Sequence, residues 1–265
     1  LTQTPLLKLL GFCFLMKQNQ LRGKIFMLIT EQFKIMNSNN KNMTDLVVLG
    51  SGNVDIVRLI EDINQDEKRF NFIGFLEKDE KLINKEVLGY PILGTDDLLL
   101  DKLSGCAVVN NIIGTTRLHE IVSNNINNKY KIYNTPNLIH PKVCRKYVNI
   151  GKGNIIYENI GFATKVSIGD FNIIYPGTNI GHETSIGDFN LLALNVVIGA
   201  RCTIGSRNLF GNSSTLSLGL SMANDNSVGV GSVIIKSIES GNSLLGNPAM
   251  DSISLFKSLI KDKKI

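Results

Sequence analysis

From residue 150 to residue 234 every sixth residue is bulky and apolar: Ile150, Ile156, Phe162, Ile168, Ile174, Ile180, Ile186, Leu192, Ile198, Ile204, Phe210, Leu216, Met222, Val228 and Ile234. The next residue is nearly always small, as at Gly151, Gly169, Gly181, Gly187, Gly199, Gly205 and Gly211. A third register, four after the apolar one, is small, branched or amide, as at Asn154, Asn172, Asn190, Cys202 and Asn208. Neither an α-helix nor a flat sheet repeats every six residues. A coil of three short strands and three corners does, and the spacing predicts a parallel β-helix over roughly 138–240. The fifteen apolar residues point into a triangular prism, and the small residues let the chain turn at the corners. At about 4.8 Å per coil, five coils make a prism about 24 Å long, whose ends need caps.

The 265-residue length leaves room for a second core. Residues 44–138 read as alternating strands and helices. Leu46–Leu49 is a buried strand ending in Gly50-Ser51-Gly52, and Val54–Ile63 has helical spacing. Strands follow at Phe70–Phe75 and Tyr90–Leu93, a helix at Asp96–Leu103 and a strand at Ala107–Ile113. After Gly114-Thr115-Thr116 comes a helix to about Asn124, and Lys131–Tyr133 begins a last strand. The alternation predicts an α/β, Rossmann-like domain on a small parallel sheet. Its junction at Gly50, Ser51, Gly52 and Asn53 offers backbone N–H groups and a helix start to a nucleotide phosphate. Gly114-Thr115-Thr116 is a second such turn. The competing reading is a tight β–α turn that needs glycine for itself, since the third glycine of the dinucleotide fingerprint is absent.

The net charge of +5 is local. Residues 1–43 carry Lys8, Lys17, Arg22, Lys24, Lys34 and Lys41 against Glu31, so the rest is balanced. A neutral body argues against nucleic acid. The leader reads as disordered or foreign to the fold, and Leu6–Met16 is too short to span a bilayer. Cys13, Cys106, Cys144 and Cys202 lack metal spacing; Cys144 and Cys202 fall in packing registers, and a reducing cytoplasm fits.

Three histidines are present. His119 is expected on a helix surface and His140, before Pro141, in a structural role. The repeats hold one histidine and no cysteine cluster, so no metal is inferred. His182 follows Ile180 by two, at an outward corner, with Glu183 beside it. An imidazole suits a general base near neutral pH, and a neighbouring carboxylate can orient it. One coil on, His182 stacks under Ala200, whose small side chain leaves room beside the imidazole; Asn212 and Val230 stack on another corner.

Residues 43–250 resemble the bacterial sugar N- or O-acyltransferase family. The shared pattern runs through Leu46–Gly52, Ile73-Gly74-Phe75-Leu76, Gly89-Tyr90-Pro91-Ile92-Leu93-Gly94, Ile113-Gly114 with Arg117, Ile139-His140-Pro141, and Gly181-His182-Glu183. It closes with Gly229-Val230-Gly231-Ser232-Val233 and Gly246-Asn247-Pro248-Ala249. The resemblance implies a left-handed β-helix, a homotrimer, acetyl-CoA lying between prisms and a nucleotide-sugar acceptor held by the first domain. It implies His182 as general base with Glu183 as helper, and Ala200, Asn212 and Val230 beside acetyl-CoA. Two departures stand out: Asn53-Val54-Asp55-Ile56 replaces the usual Gly-His-Gly-Lys, and Leu191 stands where a second histidine is expected.

The expected organisation is a leader at 1–43, a Rossmann-like nucleotide-sugar domain at 44–138, a β-helix acyltransferase domain at 139–250 and a tail at 251–265. The expected activity is acetyl transfer to a nucleotide-linked amino sugar in surface-glycan synthesis. Its rivals are O-acetylation of sialic acid or another sugar, and a catalytically weak trimeric scaffold.

Overall fold

The computed structural model describes residues 43–254; the expectations for the leader and for the tail beyond 254 lie outside the described residues. The first part is a sheet flanked by two helices. Its elements are β1 (Thr44–Leu49), α1 (Asp55–Asp66), β2 (Phe70–Leu76), β3 (Glu86–Val87), β4 (Tyr90–Gly94), β5 (Ala107–Asn110) and α2 (Thr116–Asn128). The sheet order is β3-β4-β2-β1-β5, with β4, β2, β1 and β5 parallel and only β3 antiparallel. Leu46, Val47 and Val48 are wholly buried, as a strand covered on both faces requires. Ile56, Val57, Leu59, Ile60 and Ile63 form the buried stripe of α1.

Three expectations are corrected here. The segment 96–103 holds only a short 3-10 helix, Asp96–Leu100. The β5 strand stops at Asn110, whose Oδ1 accepts the N–H of Ile112 and whose Nδ2 donates to the His119 carbonyl and Ser123 Oγ. These side-chain bonds replace sheet pairing and pull the chain out of the strand. Lys131–Tyr133 forms no strand: Lys131 has φ 57°, and the Ile132 N–H donates to the Ile126 carbonyl at the end of α2.

From Leu138 onward short strands stack in three parallel sheets. Between Val148 and Ile234 paired strand residues are eighteen apart, so Ile168, Ile186 and Ile204 lie in a column. All fifteen period-six residues are buried except Ile150 and Phe162, which lie half-buried in edge strands at the open end.

The corners work differently from the sequence reading. The residue in the left-handed conformation is the third of each corner and is rarely glycine: Lys165, Phe171, Glu183, Phe189, Arg201 and Arg207 have φ between 53° and 60°. The small residue comes first, and its task is close approach. A Cβ on Gly181 would lie 2.6 Å from Ala200 Cα, and one on Gly199 would lie 2.6 Å from Leu218 Cα. Stacking at sheet spacing leaves no room there for a side chain.

The third register forms a ladder. Asn154, Asn172, Asn190, Asn208 and Asn226 are buried, and each N–H from Asn172 onward donates to the Oδ1 one coil before, at 2.8–2.9 Å. The ladder satisfies the inner polar groups of one edge without water.

The first part sits on the apolar face of the prism. Leu138, Ile155 and Ile173 share one core with Leu46, Val48, Ile56 and Phe75. At the edge of that face Thr116 Oγ1 donates to the Arg207 carbonyl at 3.0 Å. Arg207 makes paired 2.8 Å bonds to Asp225 and reaches Glu120 at 3.3 Å.

Candidate active site

His182 stands on the prism edge where the sheet containing Asn179–Ile180 turns into the one containing Ser185–Ile186. Its side chain and that of Glu183 are 47% and 45% exposed. Nδ1 of His182 lies 3.7 Å from Glu183 Oε2, while Lys165 Nζ lies 3.5 Å from the other oxygen, Oε1. At 3.7 Å the carboxylate acts on the ring through its charge rather than a direct hydrogen bond. With the proton on Nδ1, facing the carboxylate, the Nε2 lone pair is open to an incoming N–H or O–H.

The backbone fixes this position. The His182 carbonyl accepts the N–H of Arg201 at 2.8 Å, which registers Ala200 beside it on the next coil. Ala200 is half-buried. Asn212 is exposed; its Oδ1 accepts the N–H of Leu194, and its carbonyl accepts that of Gly231. Val230 is 74% exposed. Asn212 and Val230 share a different edge, with Leu194, so a single chain joins Ala200 to His182 but leaves the other two apart.

A cleft of about 340 Å³ opens at the carboxyl ends of β1, β2 and β5, lined in part by Gly50, Gly52, Glu77, Lys78, Asp96, Asn111 and Gly114. Parallel sheets bind ligands at this end, where the connections diverge to either side. Ser51 is buried, and both its N–H and its hydroxyl donate to Glu77 Oε1, at 2.6 and 2.7 Å. One of the N–H groups expected to hold phosphate, that of Ser51, therefore holds a carboxylate instead.

Asn53 is also buried and faces the prism. Its Nδ2 lies 2.7 Å from the Tyr157 hydroxyl, 3.1 Å from that of Tyr175 and 3.3 Å from Asn111 Oδ1. Asn111 Nδ2 donates to the carbonyls of Gly50 and Asn53. The residue after the glycine loop is thus a clasp to the prism. Burial pushes the Tyr157 phenol far up and that of Tyr175 to about 12, so both stay protonated.

His119 contradicts its expected surface position. It is 4% exposed, with Nδ1 2.9 Å from the Ile112 carbonyl and Nε2 3.1 Å from the Phe171 carbonyl. It joins the cleft wall to the prism, and burial lowers its pKa. His140 is buried, 3.5 Å from Asp62. Cys202 is buried as expected, with its thiol 3.2 Å from the Ser217 carbonyl, but Cys144 is exposed because its short segment precedes the first full coil.

Glu77, Asn111, Tyr157 and Tyr175 went unread in the sequence. The tyrosines are eighteen apart in one register, a visible sign that they stack; their rings lie 5.1 Å apart. Glu77 directly follows a parallel strand, where polar residues face the cleft. Among the described residues no group of three His, Cys, Asp or Glu side chains is placed for a metal, and no helix is long and apolar enough to cross a membrane.

No family model matches the sequence, and no curated protein matches it. Solved structures do. A histidine-to-asparagine variant of perosamine N-acetyltransferase from Caulobacter crescentus, in complex with CoA and GDP-perosamine, is 22% identical with a TM-score of 0.69, over 78% of this chain and 96% of that one. PerB from the same organism, with the same two ligands, is 23% identical with a TM-score of 0.60, over 78% and 97%. The acetyltransferase domain of PglB from Neisseria gonorrhoeae, in complex with acetyl coenzyme A, is 20% identical with a TM-score of 0.51, over 79% and 100%. The chain has the fold of these sugar acetyltransferases: a left-handed parallel β-helix preceded by a smaller α/β part.

Proposed function

We propose that the chain is an acetyl-CoA-dependent acetyltransferase whose acceptor is a nucleotide-linked amino sugar used in surface-glycan synthesis. The carrying observation is the pair His182–Glu183 on an exposed prism edge, Nδ1 to Oε2 3.7 Å, with Nε2 free of protein partners among the described residues. The fold neighbours bound to CoA and GDP-perosamine support the substrate class.

In this reading the acceptor amine attacks the thioester carbonyl while His182 Nε2 takes its proton. The C–S bond then breaks, CoA leaves as the thiolate, and the imidazolium returns the proton to it. Glu183 holds the ring and stabilises its charged form, as the acid of a hydrolase triad does. Ala200, Asn212 and Val230 are the proposed acetyl-CoA contacts. His182 and Ala200 share one edge and Asn212 and Val230 another, so in this reading a second copy supplies part of that groove. This supports a homotrimer.

Residues 44–138 form the proposed Rossmann-like nucleotide domain and 139–250 the acyltransferase domain. The nucleoside occupies the cleft beside Gly50, Ser51, Gly52 and Glu77, with Asn53 holding the loop to the prism. The described cysteines are free, which suits a cytoplasmic setting. The test is thiol release from acetyl-CoA with a panel of GDP- and UDP-linked 4-amino sugars and free sialic acid. Turnover with the nucleotide-linked amines supports the reading, turnover only with sialic acid favours O-acetylation, and no turnover favours the scaffold.

A further inference from the structure

We propose that Arg145, Lys146 and Lys165 form an anion half-site on the prism edge that carries His182, and that it takes the diphosphate of the acceptor. The proposal rests on the acetyl-transfer reading above. Successive corners of this edge are Arg145-Lys146-Tyr147, Ala163-Thr164-Lys165, Gly181-His182-Glu183 and Gly199-Ala200-Arg201. Backbone bonds lock them in step: Lys165 N–H to the Tyr147 carbonyl at 2.9 Å, Glu183 N–H to that of Thr164 at 3.1 Å, and Arg201 N–H to that of His182 at 2.8 Å. Four cations on these corners face a single carboxylate, Glu183.

The cations before His182 are available. Arg145 and Lys146 are exposed and make no ion pair among the described residues. Lys146 Nζ lies 5.1 Å from the centre of the Tyr147 ring, which is itself 68% exposed. Lys165 is 75% exposed, and its one carboxylate contact, to Glu183, is a loose 3.5 Å.

The cleft is a poor place for a diphosphate. Its charged lining is Glu77 and Asp96 against Lys78, and the Ser51 N–H is already on Glu77. Like charges at this range raise the cost of entry, whereas a nucleoside is neutral and fits. The diphosphate therefore lies outside the cleft. The first part packs on the sheet of Ile155, Ile173 and Leu191 while His182 stands on the edge opposite that face, so in this reading the nucleoside sits in the cleft of a second copy.

Its side is decided by the thioester. Coils are about 4.8 Å apart, comparable to the width of a sugar ring. A sugar whose amine meets His182 thus carries its diphosphate about one coil away. On one side Ala200 leaves room for the thioester arm. On the other stands Lys165, with Arg145 and Lys146 a coil beyond. Lysine supplies a point charge for phosphate oxygens and arginine a two-pronged contact.

Titration calorimetry with inorganic pyrophosphate at low salt tests this without turnover. The wild-type chain should bind it, and the triple variant Arg145→Met/Lys146→Met/Lys165→Met should bind about tenfold more weakly or worse, while Lys78→Met in the cleft keeps wild-type affinity. These side chains are exposed, and matching melting curves verify folding. In kinetics the triple variant should raise KM for a nucleotide-linked amino sugar about tenfold and leave KM for acetyl-CoA within twofold. Absent wild-type binding, unchanged binding in the triple variant, or loss only in Lys78→Met would overturn the half-site. If the half-site binds but no acceptor in the panel turns over, the acetyl-transfer reading fails instead.

Discussion

Glu77 closes the glycine loop: one of its oxygens accepts both the N–H and the hydroxyl of Ser51, at 2.6 and 2.7 Å. In the proposed reading a sugar hydroxyl of the nucleoside competes with Ser51 for this carboxylate. Glu77→Ala should raise KM for the nucleotide-linked acceptor about tenfold, the equivalent of one charge-assisted hydrogen bond. The KM for acetyl-CoA should stay within twofold. Equal losses for both substrates would detach Glu77 from nucleotide binding.

The catalytic prediction rests on His182. Removal of a general base costs about 10²–10⁴-fold in rate. His182→Ala should lower kcat by that order with little change in the acetyl-CoA Kd and, because the side chain is 47% exposed, little change in Tm. Glu183→Gln should cost less. Retention of most activity with a turning-over acceptor would leave the reaction to another group.

His119 predicts an acid-sensitive fold. Its neutral ring can donate to only one of the two carbonyls it faces, and no carboxylate lines the small cavity beside it. Burial lowers its pKa below the ordinary 6.5, so the unfolded chain binds the proton more readily. Its contribution to stability is therefore complete above about pH 6.5 and lost as pH falls toward the depressed folded value, at up to about 1.4 kcal/mol per pH unit. Denaturant unfolding from pH 7.5 to 5 should show this slope in the wild type and less of it in His119→Gln. Parallel slopes would exclude His119 as the source.

The asparagine ladder carries a stability prediction. Asn190 accepts two bonds from Asn208 and donates to the Gly205 carbonyl and to Asn172, all between 2.8 and 3.1 Å. Asn190→Ala leaves buried groups unpaired at about 1–3 kcal/mol each. A total near 3 kcal/mol should lower Tm by roughly 6–12 °C. A shift under 2 °C would mean that water replaces the amide.

The prism was legible because its contacts recur at one fixed sequence distance. The column Ile168, Ile186, Ile204 and the buried register Asn154, Asn172, Asn190 follow from counting alone. The same counting put His182 at an exposed corner one coil from Ala200. It did not reveal why the first corner residue is small. A Cβ on Gly181 collides with the next coil, and only stacked backbones show that the turn itself falls to Glu183, at φ 58°.

Contacts between the two parts of the fold have no period, and there the sequence was silent. Asn53 reaches Tyr157 and Tyr175, 104 and 122 residues away, and His119 reaches the Phe171 carbonyl, 52 away. A helix histidine beside Glu120 carries no local sign that its far nitrogen will meet a prism corner. The sequence alone determined the repeat, its core and the corner of the histidine, because these depend on spacing along the chain. The tertiary structure decided what fills the glycine loop, which histidine is buried and which edges stand apart, because these depend on how the sheet docks against the prism.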